Sequence, residues 1–335
     1  MKISTRIIII LICSVSVVVS HDVNVGSFAG VLDRMGAGVA ELGAGNTGSC
    51  RADAMPGAYW NPALIGFQKQ TLIAAGADMR SLNRNGGTIG IQGKVAPNMG
   101  LGLGMVNRGD YNVKVWDENE NLLGTARPQD IGMYLGIGLK TTRKNSFGAA
   151  LQWYVSNMDL GGQGDISQIG IINLGWYHVW FKNFKTALVV RNLGMNKRLS
   201  ADYDFIAGFG ETAAGLDQAG VDFFPKTFIA AAMFTLPILR KTIDVYGELV
   251  DYQLTNEFYD EDWDHHAKDF RLGAEWRFHP TAVARTGYDR GNFSFGFGYH
   301  FKLKNGKTLI FDYALLLESF GVTFNPYAIG FRYAL

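Results

Sequence analysis

Asn292-Phe293-Ser294-Phe295-Gly296-Phe297-Gly298-Tyr299-His300-Phe301 is the stretch that decides the fold. Phe293, Phe295, Phe297, Tyr299 and Phe301 occupy every second position, with Ser294, Gly296, Gly298 and His300 between them. Successive side chains of a β-strand point to opposite faces, so this segment has one bulky apolar face and one small face. The same period recurs along the chain. Leu101, Leu103 and Met105 alternate with Gly102 and Gly104, and Met133, Leu135, Ile137 and Leu139 alternate with Tyr134, Gly136 and Gly138. Phe147, Ala149, Leu151, Trp153 and Val155 alternate with Gly148, Ala150, Gln152 and Tyr154. Phe270, Leu272, Ala274, Trp276 and Phe278 alternate with Arg271, Gly273, Glu275 and Arg277.

The second face separates the fold classes. A soluble sandwich buries its apolar face and turns Lys, Glu and Thr to water. Here the second face is Gly, Ala and Ser with occasional charges, which fits a narrow barrel lumen, while the apolar face fits lipid. Turn signals predict about fourteen strands, near 70–82, 86–95, 99–107, 129–141, 145–157, 167–180, 184–193, 225–236, 241–254, 266–278, 281–289, 292–302, 307–318 and 325–334. Most are long enough to cross a bilayer when tilted, and an even number suits a closed single-chain barrel. Short turns at Ala96–Asn98, Thr142–Lys144, Phe181–Asn183, Pro237–Arg240, His279–Pro280 and Leu303–Gly306 are every second connection. The long connections 108–128, 158–166, 194–224 and 255–265 all fall between them. Short periplasmic turns and long extracellular loops sort to opposite ends in this way. The fold expected is therefore all-β: a transmembrane antiparallel β-barrel over 70–335. Residues 21–69 are Gly/Ala-rich and lack strand alternation, and are read as an N-terminal plug.

The chain has 335 residues and a formal net charge of +1, too weak a field to suggest nucleic acid. Charged residues make up 18%, below the roughly 25% of soluble domains. Lys2 and Arg6 followed by the apolar run Ile7–Val19 and small residues at Val18-x-Ser20 read as a signal peptide over 1–20. Its removal would leave Cys50 as the sole cysteine, without an internal disulfide. No later run is apolar for long enough to span a bilayer as a helix. The expected location is the bacterial outer membrane.

The order of several short motifs adds a family. Gly36-Ala37-Gly38-Val39-Ala40, Asp53-Ala54 and Tyr59-Trp60-Asn61-Pro62-Ala63-Leu64 resemble the N-terminal signature of the PorV/PorQ family, related to FadL-type transporters of hydrophobic compounds. Val190-Arg191-Asn192-Leu193-Gly194, Leu272-Gly273-Ala274-Glu275-Trp276 with Ala284-Arg285-Thr286-Gly287-Tyr288, and Asp312-Tyr313-Ala314 resemble its later strands. The resemblance covers nearly the whole mature chain, with Trp60, Asn61, Pro62 and Ala63 as the motif in the plug. It implies a fourteen-stranded barrel with an N-terminal plug. It also implies a docking or shuttle role in type IX secretion, with secretion-machinery proteins and secreted cargo as partners. The alternative is FadL-like transport of a hydrophobic ligand across the outer membrane. Outer-membrane lipid is a further expected partner, and nucleic acid is not one.

Other constellations are weaker. Gly43-x-Gly45-x-x-Gly48 matches a dinucleotide fingerprint in letters but lacks the strand before it and the βαβ unit after it. Asp260, Glu261, Asp262, Asp264, His265 and His266 match no metal-site spacing and read as a solvated loop. Arg191, Asp244, Glu248, Arg271, Glu275, Arg277, Arg285, Asp312 and Arg332 are expected to face the lumen, as a polar path, a plug-docking surface or a paired structural network. Trp153, Tyr154, Trp176, Tyr177, Trp180, Trp276 and Tyr299 are candidates for aromatic girdles. Phe205, Ile206, Phe209, Phe223 and Phe224 in the 194–224 loop are candidates for binding a partner. No nucleophile elbow is present, and Ser294 and His300 lie about 20 Å apart along a strand. No enzyme activity, metal or cofactor is expected.

Overall fold

The computed structural model describes residues 31–335 apart from 82–83, 111–112, 117–120, 158–165, 194–224, 239–240, 257–262, 305 and 318–325. Fourteen antiparallel strands close into a barrel. They are β1 (Leu72–Met79), β2 (Arg84–Ala96), β3 (Met99–Asp110), β6 (Gln129–Lys140), β7 (Asn145–Asn157), β8 (Ile166–Phe181) and β9 (Phe184–Leu193). The others are β10 (Lys226–Ile238), β11 (Lys241–Asn256), β12 (Trp263–His279), β13 (Ala282–Asp289), β14 (Asn292–Lys302), β15 (Thr308–Leu317) and β16 (Tyr327–Ala334). The last strand closes on the first, from Leu72 opposite Ala334 to Met79 opposite Tyr327. Closure leaves no unpaired edge, which a chain facing hydrocarbon requires.

The expected strands are all present, with ends that move by a few residues. Inside the long connection expected over 108–128, Val113–Trp116 (β4) pairs with Leu122–Ala126 (β5) as a separate two-stranded sheet. These runs are too short for their alternation to stand out. The signal-peptide residues 1–20, the partner-loop candidates Phe205, Ile206, Phe209, Phe223 and Phe224, and Asp260, Glu261 and Asp262 lie outside the described residues.

Parity sorts the side chains as the opening stretch requires. Phe293 is 56% exposed and its neighbour Ser294 5%. Leu101, Leu103, Leu135, Phe147, Leu151, Leu188, Leu249 and Phe331 are likewise exposed around the wall. An apolar surface of this extent is unfavourable in water and suits bilayer hydrocarbon. Among the described residues no helix is long and apolar enough to cross a membrane. Parity also corrects two girdle candidates. Tyr154 and Tyr177 are buried, because each adjoins an outward tryptophan, Trp153 or Trp176, and must face the other way.

Residues 31–69 form short helices at Val31–Met35, Val39–Gly43 and Gly57–Trp60 and a 3-10 helix at Pro62–Phe67. Asn61 caps the last of these: its Oδ1 accepts from the Ala63 amide at 3.0 Å, and Pro62 supplies a fixed φ at the first helical position. The segment meets strands around the whole ring, from Val39 against Gly76 (β1) and Gly330 (β16) to Pro62 against Gly148 (β7). A Cβ at Gly148 would stand 2.3 Å from the Ala63 nitrogen, so only glycine lets the wall approach this backbone. Tyr59, Trp60 and Ile65 of the segment form one core with Val106, Tyr134 and Tyr154 of the strands. Ala63 and Leu64 form a second with Tyr177, Met233 and Tyr246.

Candidate functional site

The buried faces of β12, β13, β15 and β16 hold a closed ring of alternating charges. Arg51 Nη2 lies 2.6 Å from Glu275 Oε2, and Arg285 Nε lies 2.8 Å from the same oxygen. Arg285 Nη1 reaches Asp312 Oδ1 at 2.8 Å, and Arg332 Nε reaches Asp312 Oδ2 at 2.7 Å. Arg332 Nη1 meets Asp53 Oδ2 at 2.6 Å, and Arg51 Nε meets Asp53 Oδ1 at 2.9 Å, which closes the circle. Three guanidinium and three carboxylate groups cancel in charge; five of the ions are buried, while the Asp53 side chain is 49% exposed. Arg51 and Asp53 belong to the N-terminal segment. The ring therefore joins that segment to the wall. Glu41 sits beside it, 3.6 Å from Arg51 Nε. Burial pushes the Glu41 carboxyl up to about 7 despite the opposing fields of Arg51 and Arg332.

Other inward polar groups also end on this segment. Glu248 Oε1 accepts from the amides of Gly48 at 2.9 Å and Ser49 at 2.7 Å. Arg191 Nη2 donates to the Trp60 carbonyl at 3.1 Å, with its guanidinium 4.5 Å from the Tyr59 ring centre. Arg108 Nη2 donates to the Gly36 carbonyl at 2.5 Å while Nη1 pairs with Asp78 at 2.7 Å. Gly45, from the nucleotide-like triplet, donates its amide to Ser294 Oγ at 3.0 Å. Arg271 binds Asp289 at 3.2 Å and the Tyr252 hydroxyl at 3.0 Å within the wall, and Asp289 in turn accepts from Asn46 of the segment at 2.9 Å.

Of the nine charges expected to face the lumen, Arg191, Glu248, Arg271, Glu275, Arg285, Asp312 and Arg332 are buried. Asp244 is half-buried and accepts from Thr235 at 2.6 Å. Arg277 shares their parity, and its Nη2 meets the buried Glu275 Oε1 at 3.0 Å, with its own side chain 49% exposed near the short-turn end of β12. Arg51, Asp53, Asp78 and Arg108 were missed by sequence reasoning. Arg108 shares the parity of Gly102 and Gly104 and could have been found by extending the alternation. Arg51 and Asp53 lie where no period exists to assign a face.

The outer wall also carries a cavity. A recess of about 740 Å³ opens over β1, β2, β3, β6 and β7, lined by Ile73, Ile89, Ile91, Leu103, Met105, Met133, Leu135, Leu151 and Trp153. Its lining also takes in Tyr134 and Gln152, whose side chains are buried on the inner face, and no ionised group is among the lining residues. Its floor is backbone at Gly90 and Gly104. A Cβ at Gly104 would fall 2.3 Å from Pro56 Cβ, and one at Gly136 would fall 2.7 Å from Ala58 Cβ. These glycines let the wall close onto the N-terminal segment, leaving the outer surface concave above it. One strand thickness separates the recess from Pro56.

No family model matches the chain, and no curated protein matches it, so the motif resemblance to PorV/PorQ proteins gains no support from these comparisons. Solved structures do match. The Ralstonia pickettii toluene transporter TbuX aligns with a TM-score of 0.57 at 12% identity, over 90% of this chain and 98% of that one. The monoaromatic hydrocarbon channel CymD aligns with a TM-score of 0.56 at 13% identity, over 90% and 97%. A Pseudomonas aeruginosa FadL homologue aligns with a TM-score of 0.55 at 12% identity, over 89% and 98%. Identity this low establishes a shared barrel fold and nothing finer.

Proposed function

We propose that the protein is an outer-membrane channel for hydrophobic small molecules, exported by residues 1–20, with residues 21–69 as a plug. On this reading the short turns face the periplasm. The observation that carries it is the uncharged recess, with only the Gly90 and Gly104 backbone between it and Pro56 of the plug. The matching folds described as a toluene transporter and a hydrocarbon channel support the same reading. A recess open to lipid gains little from the hydrophobic effect, since its surroundings are already apolar. Selection there rests on shape and packing, which suits compact or chain-like hydrocarbons that already partition into a bilayer. The buried ion pairs hold the plug in place and take no part in ligand chemistry. A docking role in type IX secretion draws support from the motif series alone.

Uptake tests the proposal. Cells producing the protein should take up labelled toluene or a labelled long-chain fatty acid faster than cells with an empty vector. Equal rates for both compounds, with the barrel folded in the outer membrane, would remove the reading.

A further inference from the structure

The two ends of the barrel differ in charge. Residues 93–99, 139–146, 180–185, 236–243, 277–283 and 301–309, which form the short turns and adjoining strand ends, contain no Asp or Glu. Among their basic residues, Lys94, Arg143, Lys144, Lys182, Lys302 and Lys304 are exposed, as is Arg277, which pairs with Glu275. In sequence, the alternate connections 111–128, 158–165, 194–225 and 257–262 hold more Asp and Glu than Lys and Arg, with Lys114, Arg127, Lys197 and Arg198 their basic residues, while the short ones among them carry Arg80 and Arg290. We propose that the short-turn rim is a docking surface for the anionic headgroups of phospholipids in the leaflet beside it.

Three observations favour lipid over a single docked macromolecule. First, the cations are spread over the β14–β15, β2–β3, β6–β7 and β8–β9 turns, an arc over most of the rim and not one patch. A lipid shell is annular; a folded partner covers one side. Second, none of these cations besides Arg277 has an ion-pair partner among the described residues, whereas the lumen arginines Arg51, Arg285 and Arg332 are each paired. Their charge remains available to an external anion, and the nearby headgroups are the anions a rim at this height meets. Third, they adjoin aromatic side chains placed at an interface. Trp176, His178 and Trp180 follow one another on the outward face of β8, the His178 ring 5.7 Å from Trp176 and 4.3 Å from Trp180. Lys144 Nζ donates to the Trp180 carbonyl at 3.4 Å, which sets this cation at the level of the ring. Amphipathic rings beside Lys mark the depth where acyl chains give way to headgroups.

The inference rests on the barrel lying in a bilayer. Its test is the lipid shell of the whole protein reconstituted in mixed vesicles. Spin-labelled phosphatidylglycerol and phosphatidylcholine are compared for the wild type and for a variant with Lys94, Arg143, Lys144, Lys182, Lys302 and Lys304 changed to Gln. Phosphatidylglycerol should be enriched several-fold in the motionally restricted shell of the wild type. High salt and the variant should each abolish most of that enrichment. If the sixfold variant does not fold, as judged by heat-modifiable gel mobility, Lys144→Gln with Lys182→Gln should lower the enrichment partially. Equal association of both lipids with the wild type, or enrichment that survives the substitutions, overturns the inference. Failure to float with vesicles at all would instead sink the membrane reading beneath it.

Discussion

Arg51 and Glu275 stand 224 residues apart in sequence and meet at 2.6 Å inside the barrel. Their contact carries the N-terminal segment onto β12 and begins the ring that runs through Arg285, Asp312, Arg332 and Asp53. Removing one member of a buried set leaves its partners uncompensated. Glu275→Gln leaves Arg51 and Arg285 facing a neutral amide, and the expected loss is about 3–5 kcal/mol. Unfolding monitored by heat-modifiable gel mobility checks this. With Arg51→Met, the double variant should lose less than the sum of the singles, because the two residues share one interaction. Additive losses would show that the pair is not coupled.

Glu41 gives the segment a pH dependence of definite sign. In an unfolded chain its carboxyl titrates near 4.5; in the fold, burial lifts it to about 7. Between these values the folded protein retains a proton that the unfolded chain gives up. Stability therefore falls as pH rises through that window and stays lower above it. Glu41→Gln removes this loss. The variant should resist heat better than the wild type at pH 8 and equally at pH 4. A variant less stable at pH 8 would contradict this.

Close approach of wall and segment predicts an asymmetry between adjacent residues of β7. Gly148→Leu places a side chain where Pro62 and Ala63 already lie, and overpacking of this kind costs about 1–3 kcal/mol. Ala149→Leu, one residue on, points outward and should leave the unfolding temperature nearly unchanged. Equal effects at the two sites would mean that the parity is wrong.

The recess predicts a change of function without a change of fold. Leu103→Trp fills part of its volume from the outer face, and uptake of the hydrophobic substrate should fall several-fold. Leu188→Trp, on the exposed wall away from the recess, is the control and should leave uptake unchanged. Both variants should keep the heat-modifiable mobility of the wild type.

How far the sequence shows the structure depends on where a period exists. The stretch Phe293–Phe301 alternates without exception, so its face assignment follows from residue type alone. Strand-forming positions such as Leu101 and Phe331 are legible for the same reason. Arg332 and Asp312 could be placed inward by parity, but their partner Asp53 lies in a segment without a repeat, and only the fold brings it to Arg332 at 2.6 Å. Trp60-Asn61-Pro62-Ala63 stands out as a motif. Its physical content, an Asn cap and a proline start packed against Gly148, needs the facing strand to be understood. The recess could not be read from the chain, because it arises where Gly90, Gly104 and Gly136 on neighbouring strands yield together to Pro56 and Ala58.

Nitroxide scanning of residues 293–301, one cysteine at a time in a background without Cys13 and Cys50, tests the central claim most directly. In vesicles, collision with oxygen should peak at Phe293, Phe295, Phe297, Tyr299 and Phe301 and fall at the residues between, while a water-soluble nickel relaxer reaches few of either set. Strong nickel contact at those five aromatic positions would contradict it, since the bulky face would then lie in water.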